Sequence, residues 1–151
     1  DERTLEMATR MKEAGLIRKL GATSHHRKVF PVLARQKMID LFHVRYNAIN
    51  RGAEKDVFPF LESVGRPGVV SFTATRWGKL IDPKKTPPGK STTSATDAYR
   101  FVLSNPAVDV CMAGARNIAQ MRDDLKVLEL GPMNEDELIA IRATGDYLYA
   151  H

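Results

Sequence analysis

The chain has 151 residues, of which 43% are hydrophobic and 27% charged, and carries a formal charge of +5 at pH 7. That is the size of one domain with enough apolar content for a core, which excludes a compositionally disordered chain. A single cysteine, Cys111, excludes an internal disulfide framework and a multi-cysteine zinc or iron–sulfur site; no apolar run approaches the ~18 residues of a membrane span. The positive balance suits an anionic small molecule without naming one. The expected setting is cytoplasmic, with no nucleic-acid or membrane partner. The first residues are not a signal peptide, and the missing initiator Met implies a start inside a longer protein.

In chain order, residues 4–14 read as a helix with Leu5, Ala8 and Met11 on one face and Gly15 as its stop. A strand over 17–23 follows. Ser24 is a candidate cap for a helix over 27–36, where Pro31 is tolerable near the first turn. A second strand over 39–45 leads through a loop at 47–52 to a helix over 53–64, weakened by Pro59. Gly65-Arg66-Pro67-Gly68 breaks the chain before a third strand over 69–74. Residues 82–94 are rich in Pro, Lys, Ser and Thr, a long loop of the functional or mobile kind. A helix over 96–103 and a fourth strand over 108–113 come next. The helix from 114–117 to about 130 places Ile118, Met121, Leu125 and Leu128 on its inner face. Asn134 and Glu137 form a capping-box pattern before a last helix carrying Leu138 and Ile141.

The order is a helix, four strand–helix units and a terminal helix. That pattern implies an α/β fold of parallel strands joined by right-handed crossovers. A small doubly wound sheet and part of a (β/α)8 barrel both fit; a whole barrel needs about 250 residues. Val44, Val70 and Val110 are expected on the surface that lines a barrel.

Two motif likenesses fail on mechanism. Gly89-Lys90-Ser91-Thr92 imitates the end of a phosphate-binding P-loop, but Lys84 stands where its first glycine belongs and no strand precedes it. No GxGxxG follows a strand. His25, His26 and His43 lack ligand spacing, so no metal site is expected.

Four segments in order resemble the aldo-keto reductase family. They are Glu13-Ala14-Gly15-Leu16-Ile17-Arg18-Lys19-Leu20-Gly21-Ala22-Thr23-Ser24-His25, then Ile39-Asp40-Leu41-Phe42-His43-Val44-Arg45-Tyr46-Asn47. The third is Gly68-Val69-Val70-Ser71-Phe72-Thr73-Ala74-Thr75-Arg76-Trp77-Gly78-Lys79-Leu80, and the fourth is Val108-Asp109-Val110-Cys111-Met112-Ala113-Gly114-Ala115-Arg116-Asn117 with Gln120 and Asp124. The resemblance implies strands five to eight and flanking helices of a (β/α)8 TIM barrel, so that residues 1–151 are one incomplete domain, the C-terminal half. It implies an enzyme that transfers hydride from NADPH, with NADH also possible, to an aldehyde or ketone.

The resemblance also assigns residues. Thr23, Ser24 and His43 would hold the nicotinamide carboxamide and Phe72 would stack on its ring. Thr73, Thr75, Trp77, Gly78 and Lys79 would border the pyrophosphate; Gly114, Ala115, Arg116, Gln120 and Asp124 would meet the adenosine phosphate end. The residue chemistry agrees: hydroxyls and an imidazole suit an amide, Phe72 offers a flat face, and a helix start presents N–H groups and positive dipole. The chain departs from the family where many members have Asn, Gln and Tyr around the nicotinamide; here stand Ser24, His43 and Phe72. Gly114-Ala115 replaces the usual Lys-Ser or Arg for a 2′-phosphate, leaving Arg116, Lys79, Lys84, Lys85 and Lys90 as cations to compensate.

Plainer readings stand beside these. Thr23 and Ser24 suit a helix cap, Phe72 and His43 suit a core, Arg45 suits a buried ion pair, and Cys111 suits a small core residue. The family's catalytic Asp, Tyr, Lys and His or Glu all belong to the other half, so no catalytic residue is assigned here, and none of Tyr46, Tyr99, Tyr147 or Tyr149 is given the role. The isolated chain is expected to be inactive and to pair with its missing half or with itself. A non-catalytic nucleotide-binding or regulatory barrel segment is the alternative.

Overall fold

A computed structural model describes residues 2–35 and 39–151. Four strands, β1 (Gly21–Thr23), β2 (Leu41–Arg45), β3 (Gly68–Phe72) and β4 (Val110–Cys111), form one sheet in the order β1-β2-β3-β4. Every pairing is parallel. Seven α-helices accompany the described strands: α1 (Glu2–Glu13), α2 (Val29–Arg35), α3 (Ala53–Asp56), α4 (Ala95–Leu103), α5 (Ile118–Leu125), α6 (Val127–Leu130) and α7 (Glu135–Ala150).

Local chemistry sets several of the ends. Gly15, at φ 72°, lets α1 close with paired bonds from Gly15 N–H to Lys12 O and from Leu16 N–H to Met11 O. Ser94 Oγ accepts from Asp97 N–H to start α4. The capping box at the start of α7 forms as the sequence implies, with Asn134 and Glu137 exchanging bonds. The loop over 82–94 has structure of its own. A 3-10 turn, Pro83–Lys85, is capped by Asp82, and the Thr86 and Thr92 hydroxyls meet at 2.8 Å.

Several expected elements differ. The strands expected over 17–23 and 108–113 shrink to three and two residues. Each lies at a sheet edge, where one side of the ladder has no neighbour to extend it. The helix expected over 53–64 breaks into α3 and two 3-10 turns, Phe58–Phe60 and Glu62–Val64, with Pro59 at the break. Gln36, the expected end of the second helix, lies outside the described residues. The helix expected to run from 114–117 to about 130 divides into α5 and α6. Its face is reversed: Ile118 and Leu128 are 74% and 76% exposed, Met121 and Leu125 are also exposed, and Asp124 is the buried residue.

The two faces of the sheet differ. Phe42 and Val44 of β2 and Val69 and Ser71 of β3 are buried under the helices, together with Phe30 of α2 and Phe101 and Val102 of α4. The Phe30 and Phe42 rings lie 4.8 Å apart. Val44 therefore belongs to the helix-covered face, not to the surface lining a barrel, because alternation puts it on the side of Phe42. The other face carries Leu41, His43, Arg45, Val70 and Phe72, all half-buried, and Val110, which is exposed. Val70 and Val110 are paired there as expected. Among the described residues no helix is long and apolar enough to cross a membrane.

Candidate functional site

Because all four strands run parallel, the segments that follow them gather at one end of the sheet. Thr23 ends β1, His43 is its register partner in β2, and Phe72 ends β3 opposite Arg45. These side chains share the open face through period-2 alternation. The His43 and Phe72 rings are 4.5 Å apart and tilted by 54°. Thr23 Oγ1 donates to His43 O at 3.1 Å, which leaves the hydroxyl lone pairs available as acceptors. Ser24 Oγ accepts from His26 N–H at 3.0 Å, so its O–H remains a donor. Ser24 closes this turn and does not cap α2, which begins only at Val29.

Behind this group, Asn47 fixes the rim. Fully buried, it donates through Nδ2 to Thr73 O, and its Oδ1 accepts from Ile49 and Asn50 N–H. Thr73, Arg76 and Trp77 hold φ values of 58°, 55° and 52°, each at a cost of about 1 kcal/mol for a residue with a Cβ. The turn is held by Arg76 N–H donating to Thr73 O, Leu80 N–H to Thr75 O, and the buried Leu80 side chain. Thr75 Oγ1 accepts from Gly78 N–H. The loop displays Trp77, 70% exposed, with the Arg76 guanidinium 4.3 Å from its ring centroid. Lys79 turns away, its Nζ donating to Leu148 O near the end of α7 at 2.7 Å.

At the end of β4, Gly114 and Arg116 are exposed and Ala115 is half-buried. Asn117 caps α5 through Oδ1 to Gln120 N–H, and Gln120 Oε1 accepts from Arg116 N–H. These contacts order the helix start and leave the Ile118 and Ala119 N–H groups as its outward-facing donors. Arg116 and Gln120 thus sit together at the helix mouth, whereas Asp124, a turn further on, is buried. Its carboxyl is raised above the usual carboxylate range by burial, with Asp123 adding to the effect. Asp124 also helps raise the hydroxyl of Tyr99, for which burial is the larger cause.

Thr23, His43 and Phe72, which suit an amide and a flat ring, are therefore contiguous, and Ser24 follows Thr23 directly in the chain. The loop over 73–79 and the start of α5 adjoin them at the same end of the sheet, while Lys79 is hydrogen-bonded to α7 and Asp124 is buried. Two further residues on this face were not singled out as ligand contacts from the sequence. Met112 continues the alternation of Val110 and reaches across the face to put Sδ 3.0 Å from His43 Nε2. Arg45 faces the same side. Cys111 faces the covered side, and burial pushes its thiol up to about 12, as suits a packed, unreactive residue. Tyr46 is buried and donates to Glu54 at 2.6 Å; burial and that carboxylate raise its hydroxyl, against acid catalysis. Among the described residues no cluster of His, Cys, Asp and Glu is placed to hold a metal ion.

No family model matches the sequence, and no curated protein matches it at a significant level. Solved structures do. An aldo-keto reductase from Bacillus halodurans, AKR11C1, in its holo form, superposes with a TM-score of 0.76 at 21% identity, over 95% of this chain and 55% of that one. Its apo form gives 0.75 over 95% and 56%. The thermostable aldo-keto reductase Tm1743, in complex with the inhibitor epalrestat, gives 0.69 at 23% identity over 93% and 53%. The chain thus has the α/β fold of part of an aldo-keto reductase barrel and spans about half the length of the structures it matches.

Proposed function

We propose that this chain is the C-terminal, cofactor-holding half of an NAD(P)H-dependent aldo-keto reductase. The observation that carries the reading is the grouping of Thr23, His43 and Phe72 on the open face at the C-terminal end of the strands, with Ser24 next in the chain after Thr23. Ser24 O–H is free to donate to a carboxamide oxygen, and Thr23 and His43 have lone pairs for the amide N–H groups. Phe72 presents an aromatic face to the nicotinamide ring. The loop over 73–79 flanks the pyrophosphate, and Arg116 with the outward N–H groups of α5 faces the adenosine phosphate. The nicotinamide cofactor, when bound, supplies the hydride.

In this reading the proton donor belongs to a complementary N-terminal half. The chain alone binds cofactor and does not reduce carbonyl compounds; turnover by the pure chain would contradict that division. Cofactor choice is tested by titrating NADPH and NADH against the wild type and Arg116→Ala. A larger loss for NADPH assigns Arg116 to the 2′-phosphate, and equal losses remove it from that role.

A further inference from the structure

Seven arginines are buried or half-buried among the described residues: Arg27, Arg45, Arg51, Arg66, Arg76, Arg100 and Arg142. Five hold a carboxylate. Arg27 pairs with Asp56, Arg51 with Asp146, Arg66 with Asp109, Arg100 with Glu137 and Arg142 with Glu54. Arg76 lies over the Trp77 ring. Arg45 has no ion pair, hydrogen bond or aromatic partner among the described residues. Unlike Arg76, whose Nε is buried without a hydrogen bond, Arg45 keeps its nitrogens open to solvent, so its guanidinium is free to take an anion that arrives from outside.

Its position says which anion. Arg45 is the last residue of β2, in register with Phe72 and two residues beyond His43 on the same open face. The features suited to the cofactor's phosphates, the loop after β3 and the start of α5 after β4, lie on the other side of Phe72 in the strand order β1-β2-β3-β4. Arg45 therefore flanks the aromatic ring on the side away from the phosphates.

We infer that Arg45 is a specificity-determining residue that takes the carboxylate of a small carbonyl substrate. The inference rests on reading the open face as a carbonyl-reducing site. A guanidinium accepts a carboxylate through two parallel N–H···O bonds and fixes its orientation as well as its charge. The substrate class is then an oxo-acid rather than a neutral aldehyde or ketone.

The probes are pyruvate and its uncharged amide, titrated into the isotope-labelled chain while the Arg45 side-chain N–H and the His43 and Phe72 ring signals are followed by NMR. Pyruvate is expected to bind at least about ten-fold more tightly than pyruvamide, the size of a charged hydrogen-bonded contact. Arg45→Gln is expected to abolish that ratio, while Arg45→Lys, which keeps the charge, preserves part of it. Equal affinities in the wild type, no response to pyruvate, or discrimination that survives Arg45→Gln would each overturn the inference. NADH is titrated separately. Arg45-dependent discrimination without NADH binding removes the cofactor reading and leaves the anion site standing. NADH binding without discrimination does the reverse.

Discussion

Gly145 shows how one missing Cβ sets the geometry around the site. It lies inside α7, where glycine disfavours a helix. A Cβ there would meet Ala48 O at 2.1 Å, so glycine lets α7 press against the loop that Asn47 organises. Gly145→Ala is expected to destabilise the fold by about 1–3 kcal/mol despite its better helix propensity, as urea unfolding would measure. Asp40 joins separate segments: it accepts from Lys12 on α1 and from Leu20 N–H. The Lys12 bond, then the Leu20 amide, hold its carboxyl down to about 2 from 3.8. Its folded value is depressed, so its stabilisation is present above the unfolded value and disappears as pH falls from 3.8 toward about 2. Asp40→Asn should cost about 1–2 kcal/mol at neutral pH and nothing at the acid end of that window, a comparison of denaturation midpoints. At this scale the family resemblance singles out Thr23, His43 and Phe72, and alternation accounts for their sharing one face. It hides Arg45, since a missing ion-pair partner is visible only after every carboxylate has been placed. Lys79 is hidden likewise: its partner, Leu148 O, is 69 residues away.

Elements are legible where their determinants are local. The capping box of α7 and the glycine stop of α1 depend on residues within one turn, and both form as read. Asn134→Ala is expected to lower stability by about 1 kcal/mol, seen as a lower melting temperature. The spans of β2 and β3 are also legible to within two residues, but not their faces: Val44 and Val70, expected on one surface, lie on opposite ones. Periodicity misplaces the face of α5 and α6 for a physical reason: it shows that one side is apolar, not which side the neighbours cover. Asp124 and the Thr96 hydroxyl, which donates to Asp123 O, mark the inward side instead. The stripe of Ile118, Met121, Leu125 and Leu128 is left outward. Replacing Ile118 and Leu128 by Lys should change stability by no more than about 0.5 kcal/mol. The same double variant should reduce binding of an apolar dye, and a large loss of stability with unchanged dye binding would show the stripe to be packed.

Over the whole molecule, a parallel sheet is covered by helices on one face and half-open on the other, with short strands at both edges. Parallel sheets are ordinarily buried on both sides. The open face and the α5–α6 stripe each leave large apolar side chains uncovered, Val110 and Met112 on one and Ile118 and Leu128 on the other, as interfaces do. Sizing chromatography is expected to show self-association, relieved by a complementary half-barrel; a stable monomer that binds no apolar dye would be at odds with this. The α/β class and parallel strands were legible from the alternation of elements, whereas the sequential order β1-β2-β3-β4 followed only from the family resemblance, since alternation also allowed a doubly wound sheet. The identity of the inner face was legible in part, since Val70 and Val110 lie on it and Val44 does not.

The proposal that this face grips a pyridine nucleotide turns on Phe72 and is tested most directly through Trp77, the single tryptophan. NADPH and NADH are titrated while energy transfer from Trp77 to the bound dihydronicotinamide is recorded, for the wild type and for Phe72→Ala. The account predicts saturable transfer with at least one of the two, weakened about ten-fold or more when the Phe72 ring is removed. Transfer that persists unchanged in Phe72→Ala, or none in the folded wild-type chain, would contradict it.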